Sequence, residues 1–393
     1  MNKPQINTEP WNIPTASRYS AFRNAKLQGK KCALYIYEQA DTSTFRYRAY
    51  NVMQYTEQSE SWCAQYFFAK TEQDEIKRLI AECDLLIIVR LRWTHFVEEI
   101  ITRAHLLGKK VLFDADDLIF DTDYLSLVTN TLNVDFRTNV ASEINYDFWF
   151  AMIGRQQLTA SKTDGFITTN PYLGQKFTDK FGKPYAIIRN TLNKEQLEAS
   201  TWYSSHSDRS NPEQFTIGYF SGTPSHINDF LMVAPELRDF LLDYPDSHLR
   251  VVGFMDFPEF MRDLLAEGRV SFIPLVDFVE LQHLTANVDV SIVPLVVNSF
   301  TNCKSELKYF EAAIVDTITI ASPNYTYINA IKHGETGFLC QSGEWYDTLK
   351  KIYLKEVDCD EIHRNARKHS IDTYSGSSVL QEIEDAFDFF YQM

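Results

Sequence analysis

Four groups of residues have the types and spacing to do chemistry. The first lies in 294–337, around Lys304-Ser305-Glu306-Leu307-Lys308-Tyr309-Phe310-Glu311. If a helix starts near Ser305, a step of about 100° per residue puts Leu307, Phe310 and Ile314 on one apolar stripe. Lys304, Lys308 and Glu311 then climb one flank of it. A cation at a helix entrance and a carboxylate two turns on suit an elongated ligand with one anionic and one hydroxylated end. A nucleotide diphosphate has that shape: its phosphates take Lys and helix N-terminal N–H groups, and its ribose diol takes a carboxylate. A solvated helix face carrying a Lys308–Glu311 pair, worth roughly a few tenths of a kcal/mol, explains the same residues in isolation.

The second group is Phe220-Ser221-Gly222-Thr223-Pro224-Ser225-His226, between a strand and a helix expected from about Asn228. Small residues there let backbone N–H groups approach phosphate oxygens, and the hydroxyls of Ser221 and Thr223 add donors. His226 either donates to a phosphate oxygen or caps the helix. An ordinary strand–helix turn would also use these residue types. The third group is Asp114-Ala115-Asp116-Asp117, with Asp121 and Asp123 beyond. Carboxylates at this spacing hold divalent ions beside nucleotides in some enzymes, and elsewhere act as bases, bind sugar hydroxyls or simply cap helices. The fourth is Phe45-Arg46-Tyr47-Arg48 together with Arg90-Leu91-Arg92-Trp93, basic and aromatic residues that follow strands. They suit a sugar stacked on a ring beside a phosphate, and equally well arginines reaching out from a sheet edge.

The elements that must position these groups alternate regularly. In the first half, strands are expected at 32–37, 85–89, 110–113, 164–168 and 185–189, with helices over 46–54 and 94–107 and an amphipathic stretch at 71–82. Residues 1–28 have no clear period and read as an extra arm. Residues 195–213 are polar, Ser-rich and close on Asn-Pro, which reads as a linker. The alternation then restarts: strand 215–220, helix 228–242, strand 248–253, helix 257–266, strand 270–273, helix 277–286, strand 288–293. Repeated strand–helix units predict parallel, doubly wound sheets, and two such domains place a ligand cleft at strand C-termini between them. The expected division is 1–196, a linker at 197–214, a second domain at 215–376 and a final amphipathic helix at 377–393.

The 393-residue length suits two domains rather than one core. No apolar run approaches the roughly 18–20 residues of a membrane span, and the N-terminus has no basic-then-apolar signal pattern, so a cytoplasmic protein is expected. Six scattered cysteines without CxxC spacing suggest reduced thiols, and Cys359-x-x-x-His363 alone is too few ligands for a metal. The net charge of −15 argues against nucleic-acid binding. Residues 1–110 carry 16 basic against 12 acidic side chains, a balance that suits an anionic acceptor or peripheral docking at the inner face of a membrane.

Glu311-Ala-Ala-Ile-Val-Asp-Thr-Ile-Thr-Ile-Ala-Ser322 resembles the run Glu-Ala-x-Ala-x-Gly-x-Pro-Val-Val-Ala-Ser of the family 4-type glycosyltransferases, which have the GT-B fold. The closest likeness is to a bacterial, rhamnosyltransferase-like subgroup. Its Lys-Ser-x-Leu-Lys-Tyr-x-Glu pattern is matched by Lys304–Glu311, its Phe-Ser-Gly-Thr-x-x-His-x-x-Asp-Phe by Phe220–Phe230, and its Tyr-Asp-x-Asp-Asp-Leu-x-Phe-Asp is similar to 113–121. His333-Gly-Glu-Thr-Gly337 is similar to a family turn that shapes the sugar pocket. The likeness covers most of 30–390, with diagnostic motifs in 215–340.

The resemblance implies an α/β chain of two Rossmann-like domains whose last helix crosses back onto the first. It implies transfer of a sugar, rhamnose-like as a first guess, from a dTDP- or UDP-linked donor to a surface polysaccharide or glycolipid hydroxyl, without metal or other cofactor. Donor binding would fall to Ser221, Gly222, Thr223, Lys304, Ser305, Lys308 and Glu311, with Glu311 taking the ribose hydroxyls. The catalytic candidates are Lys304, His226 and Asp116. Arg46, Arg48, Arg92, Asp114 and Asp117 are expected on the acceptor side. One departure stands out: many retaining members carry a second Glu eight positions before Glu311, where this chain has Cys303, so the stereochemical outcome is not implied. A nucleotide-sugar epimerase and a catalytically silent partner subunit share this architecture and are the alternatives.

Overall fold

The computed structural model describes residues 4–130, 140–206, 214–222, 227–255 and 257–393. Two six-stranded, wholly parallel sheets carry the fold. The first contains β1 (Lys31–Tyr37), β2 (Trp62–Phe68), β3 (Leu85–Val89), β4 (Lys110–Asp114), β5 (Gly165–Thr168) and β6 (Tyr185–Ile187), in the order β2-β1-β3-β4-β5-β6. The second contains β7 (Phe215–Ser221), β8 (Ser247–Gly253), β9 (Val270–Ile273), β10 (Val290–Val293), β11 (Ile318–Ala321) and β12 (Phe338–Leu339), in the order β12-β11-β10-β7-β8-β9. Central strands such as Leu85-Leu-Ile-Ile-Val89 are buried along their whole length, as a sheet covered by helices on both faces requires.

The strand order reverses once in each sheet, between β1 and β3 and between β7 and β10. Helices leave opposite faces at such a point, and the carboxyl ends of the strands open a crevice there. Loop residues 38–45 and 90–94 meet the first reversal, and 222 and 294–304 the second. Gly253 belongs to this architecture: its φ of +105° needs glycine, and a Cβ would lie 1.8 Å from the Ser221 carbonyl oxygen. The ends of β7 and β8 can therefore close tightly beside the crevice.

Several elements differ from the sequence expectation. β2 is an edge strand interrupted by Cys63 and Gln65, so it lacks the continuous apolar run of its neighbours. Residues 15–27 form a helix that buries Arg18, Phe22 and Ala25. Residues 46–54 are a π turn, Arg46–Tyr50, running into Asn51–Thr56; such turns recur at functional sites. The segment 228–242 is two helices, Ile227–Leu231 and Ala234–Asp243, the second restarted by Pro235 near its first position. The first half of the expected linker, 197–205, belongs to the helix Lys194–Ser205, opened by a reciprocal capping box between Asn193 and Gln196; residues 207–213 lie outside the described residues.

The final helix, Ser377–Gln392, packs on the first sheet. Phe387 packs at a tilt against the Tyr35 and Trp62 rings, Asp388 takes the Trp62 indole N–H at 2.9 Å, and Glu384 and Glu382 pair with Ser59 and Arg189. Among the described residues, no helix is long and apolar enough to cross a membrane.

Candidate functional site

Lys304 does not open a helix. It follows the 3-10 turn Thr301–Cys303 in an extended conformation, and the helix behind it begins only at Leu307. The reason is tertiary. Ser305 Oγ accepts from Asn190 Nδ2 at 2.9 Å, and Glu306 accepts from the Tyr374 hydroxyl at 2.9 Å, so both side chains are spent on other elements before the helix can form. The turn itself is rigid: Asn298 Oδ1 accepts from the Phe300 and Thr301 N–H groups, and Asn324 Nδ2 donates to the Thr301 carbonyl at 2.7 Å. Lys304 Nζ is thereby held 4.7 Å from the Phe300 ring and 3.5 Å from Asp117 Oδ1 of the first domain.

Lys308 and Glu311 lie on the short helix Leu307–Ala313. Burial, and then the neighbouring Lys304 cation, push the Lys308 ammonium down to about 8, with Asp229 and Glu311 opposing. Asp229 is itself fixed by the Val296 N–H, which donates to its carboxylate at 2.8 Å. Glu311 is buried and receives three donors on Oε1: the Tyr47 hydroxyl, Gln196 Nε2 at 3.0 Å and Arg46 Nη2 at 3.4 Å. Among the described residues no bond is made to Oε2. Ser221 is buried at the end of β7 and Gly222 is exposed beyond it. Thr223 and His226 lie outside the described residues.

The first-domain candidates separate into three sets. Asp116 and Asp117 stay at the cleft, joined by Arg90, whose Nη1 lies 3.0 Å and 3.5 Å from their carboxylates and 2.9 Å from Thr44 Oγ1. Arg90 belongs to the Arg90–Trp93 group singled out from the sequence but was given no role of its own there; it directly follows β3 at the strand-order reversal, and that position is the signal for its role. Its φ of +52° is unusual for a residue with a side chain, and strain of this kind gathers where geometry is over-determined by function.

Arg48 and Asp114, expected on the acceptor side, form the second set and are turned inward. Both are 0 % exposed. Arg48 grips Asp114 through two bonds of 2.8 and 2.9 Å and donates to the Ile188 carbonyl at 2.6 Å and to Asn190 Oδ1 at 3.2 Å. Burial raises the Asp114 carboxyl to about 6 while Arg48 opposes the rise, so the pair is ionised at neutral pH. It is an internal brace joining β4, the π turn and the segment after β6, and in this arrangement it reaches no ligand. In the third set, Arg92 is clamped by both oxygens of Glu38 at 2.8 and 2.7 Å, and Arg46 turns to Glu311 rather than towards the aspartates.

Cys303 is buried against first-domain apolar residues, its thiol donates to the Ser299 carbonyl at 3.1 Å, and burial pushes its pKa up. The position therefore holds a neutral thiol rather than a carboxylate. Taken together, the cleft between the sheets carries Lys304 and Lys308 on one wall and Asp116, Asp117 and Arg90 on the other, with the Glu311–Arg46–Tyr47–Gln196 cluster alongside. One wall is built for anionic oxygen and the other for hydroxyl groups.

No protein-family profile and no curated protein sequence matches the chain. Solved structures do match in three dimensions. HepE from Anabaena, in complex with UDP, superposes with a TM-score of 0.59 at 13% identity, over 91% of this chain and 100% of that one. A glycosyltransferase from Rickettsia africae gives 0.59 at 13% identity over 92% and 98%. Sucrose-phosphate synthase from Thermosynechococcus elongatus gives 0.58 at 12% identity over 92% and 100%. At such identities the likeness speaks for the fold, and that fold is GT-B: two Rossmann-like, doubly wound α/β domains facing each other across a cleft.

Proposed function

We propose that this chain is a glycosyltransferase that moves a sugar from a nucleotide diphosphate donor to a hydroxyl of a saccharide or lipid-linked saccharide acceptor. The observation that carries the reading is the pair of cations, Lys304 and Lys308, set beside Glu311 at the β7/β10 reversal and facing Asp117, which Arg90 links to Asp116. Similarity to proteins whose structures hold UDP supports the same donor class. A dTDP- or UDP-linked, rhamnose-like sugar and a surface polysaccharide or glycolipid acceptor are the finer form of the proposal, with peripheral contact at a membrane.

In this mechanism Lys304 neutralises the charge that builds on the departing diphosphate, the largest single contribution a fixed group can make. Asp116, oriented by Arg90, takes the proton of the attacking hydroxyl. Holding donor and acceptor on facing walls supplies the orientation. The test is a panel of UDP, dTDP, GDP and their sugar derivatives in thermal unfolding. A ligand at 100 times its dissociation constant adds about 2.7 kcal/mol of stability, and transfer from the stabilising donor should persist in EDTA. A panel without any stabilising nucleotide would remove the proposal, and rate loss in chelator restored by Mg²⁺ or Mn²⁺ would remove its metal independence.

Lys308 gives the reading a pH signature. With its pKa near 8, the ammonium is lost as pH rises past that value, so UDP affinity should fall from about pH 7 to about pH 9. A bound diphosphate favours the charged form, so binding at pH 8 should take up protons, visible by calorimetry in buffers of different ionisation enthalpy. The ligand-free protein should show the opposite slope. Its unfolded chain keeps the lysine proton up to the ordinary value of 10.5, so stability rises with pH between about 8 and 10.5.

A further inference from the structure

Arg46 follows the loop that leaves the carboxyl end of β1, and its guanidinium sits between first-domain and second-domain groups. Nε donates to the Thr42 carbonyl at 2.8 Å, and Nη2 reaches Glu311 Oε1 at 3.4 Å. The guanidinium carbon sits 4.1 Å from the Tyr47 ring centroid and 4.7 Å from that of Phe278, the first residue of the helix that follows β9. Arg46 is 3 % exposed. Even so, its Nη1 has no hydrogen-bond partner among the described residues, and neither has the neighbouring Thr42 Oγ1. Buried polar atoms are almost always paired, and a buried cationic donor without an acceptor is a costly exception that calls for an explanation.

The surroundings say which acceptor is missing. Lys304, the candidate phosphate-binding cation, is met from the first domain by Asp117 and, through it, Arg90. Glu311, the candidate ribose acceptor, is met by Arg46 and Tyr47. The first domain thus faces the two ends of the groove with different side chains. The geometry points to Arg46 as a nucleoside-contacting residue: its free Nη1 donates to an oxygen of the nucleoside half of the donor, while the two rings hold the guanidinium in plane. The donor site is then assembled from both domains, and Arg46 leaves the acceptor side where its sequence position first put it. This inference rests on the donor-site reading above and goes further, because that reading uses second-domain residues alone.

The experiment titrates UDP, and separately inorganic pyrophosphate, into wild type, R46Q, R46K, E311Q and the double variant R46Q/E311Q. Circular dichroism and thermal unfolding confirm that each is folded. The double variant strands no buried charge, so it keeps the test open if R46Q fails to fold. R46Q should weaken UDP by about tenfold or more, and R46K by a similar factor because an ammonium lacks the fork. On the E311Q background, R46Q should still cost about fivefold or more, since its contact is with the ligand and not only with Glu311. Pyrophosphate affinity should stay within about twofold throughout. A double variant that binds UDP as tightly as E311Q would make Arg46 a positioning residue only and overturn the inference. A parallel loss of pyrophosphate affinity would assign it to the phosphates and overturn it too. Wild type that does not bind UDP removes the donor-site reading itself, and that failure is visible before any variant is made.

Discussion

Truncating Asp114 to alanine should destabilise the ligand-free protein by about 3–5 kcal/mol, because it leaves the fully buried Arg48 guanidinium with its charge unanswered. At the sensitivity of a domain of this size that is a fall in midpoint of roughly 10 °C. The two bonds of 2.8 and 2.9 Å are lost together, and the Ile188 and Asn190 contacts cannot neutralise a cation. Replacing Arg48 and Asp114 together by methionine and leucine should recover part of the loss, since the desolvation penalty vanishes with both charges. Urea or thermal unfolding followed by circular dichroism measures both variants. A D114A protein with an unchanged midpoint and lost transfer would return Asp114 to the cleft.

Lys304→Ala should show the reverse pattern. Its ion pair with Asp117 is long, at 3.5 Å, and partly exposed, so stability should change by about 1 kcal/mol or less. Turnover should drop by about 10²–10³-fold, the usual consequence of removing one preorganised group that meets developing charge. The loss should appear in kcat and kcat/KM together, because the interaction strengthens as the diphosphate departs. Single-turnover transfer with saturating donor is the decisive measurement. A change confined to KM would make Lys304 a ground-state anchor and not a catalytic residue.

The parts of this molecule that could be read in advance are those where one chain segment settles its own structure. Leu85–Val89 has no way to be anything but a buried strand, and the restart of the alternation at Phe215 announces a second sheet. The charge of Lys304 was equally plain, but its place was not: the expected helix entrance is an extended residue after a 3-10 turn. What escaped reading depends on distant partners. Ser305 and Glu306 look like a helix start until Asn190 and Tyr374 claim their side chains. Residues 194–205 look like a linker because they are polar, but Gln196 and Ser200 are buried there and Gln196 spends its amide on Glu311. The Asn193-x-x-Gln196 spacing was the available clue to that helix. Arg48 and Asp114 show the same limit most sharply. A charged residue in a sequence is read as solvated, and only the fold reveals that two of them, 66 positions apart, have taken each other out of water.

The return of the last helix to the first sheet means that the chain passes between the domains twice, once through 188–193 and once through 375–376. The two passages run side by side, with the Leu192 N–H donating to the Tyr374 carbonyl at 2.9 Å. Gly376, at a φ of +75°, makes the second bend in a conformation that a side chain would resist. The two crossings are not the only join: one apolar core runs from Phe45 and Tyr47 through Phe278 and Phe310 to Ile383 and Phe387, so the domains are seated on each other as well as tied at this edge.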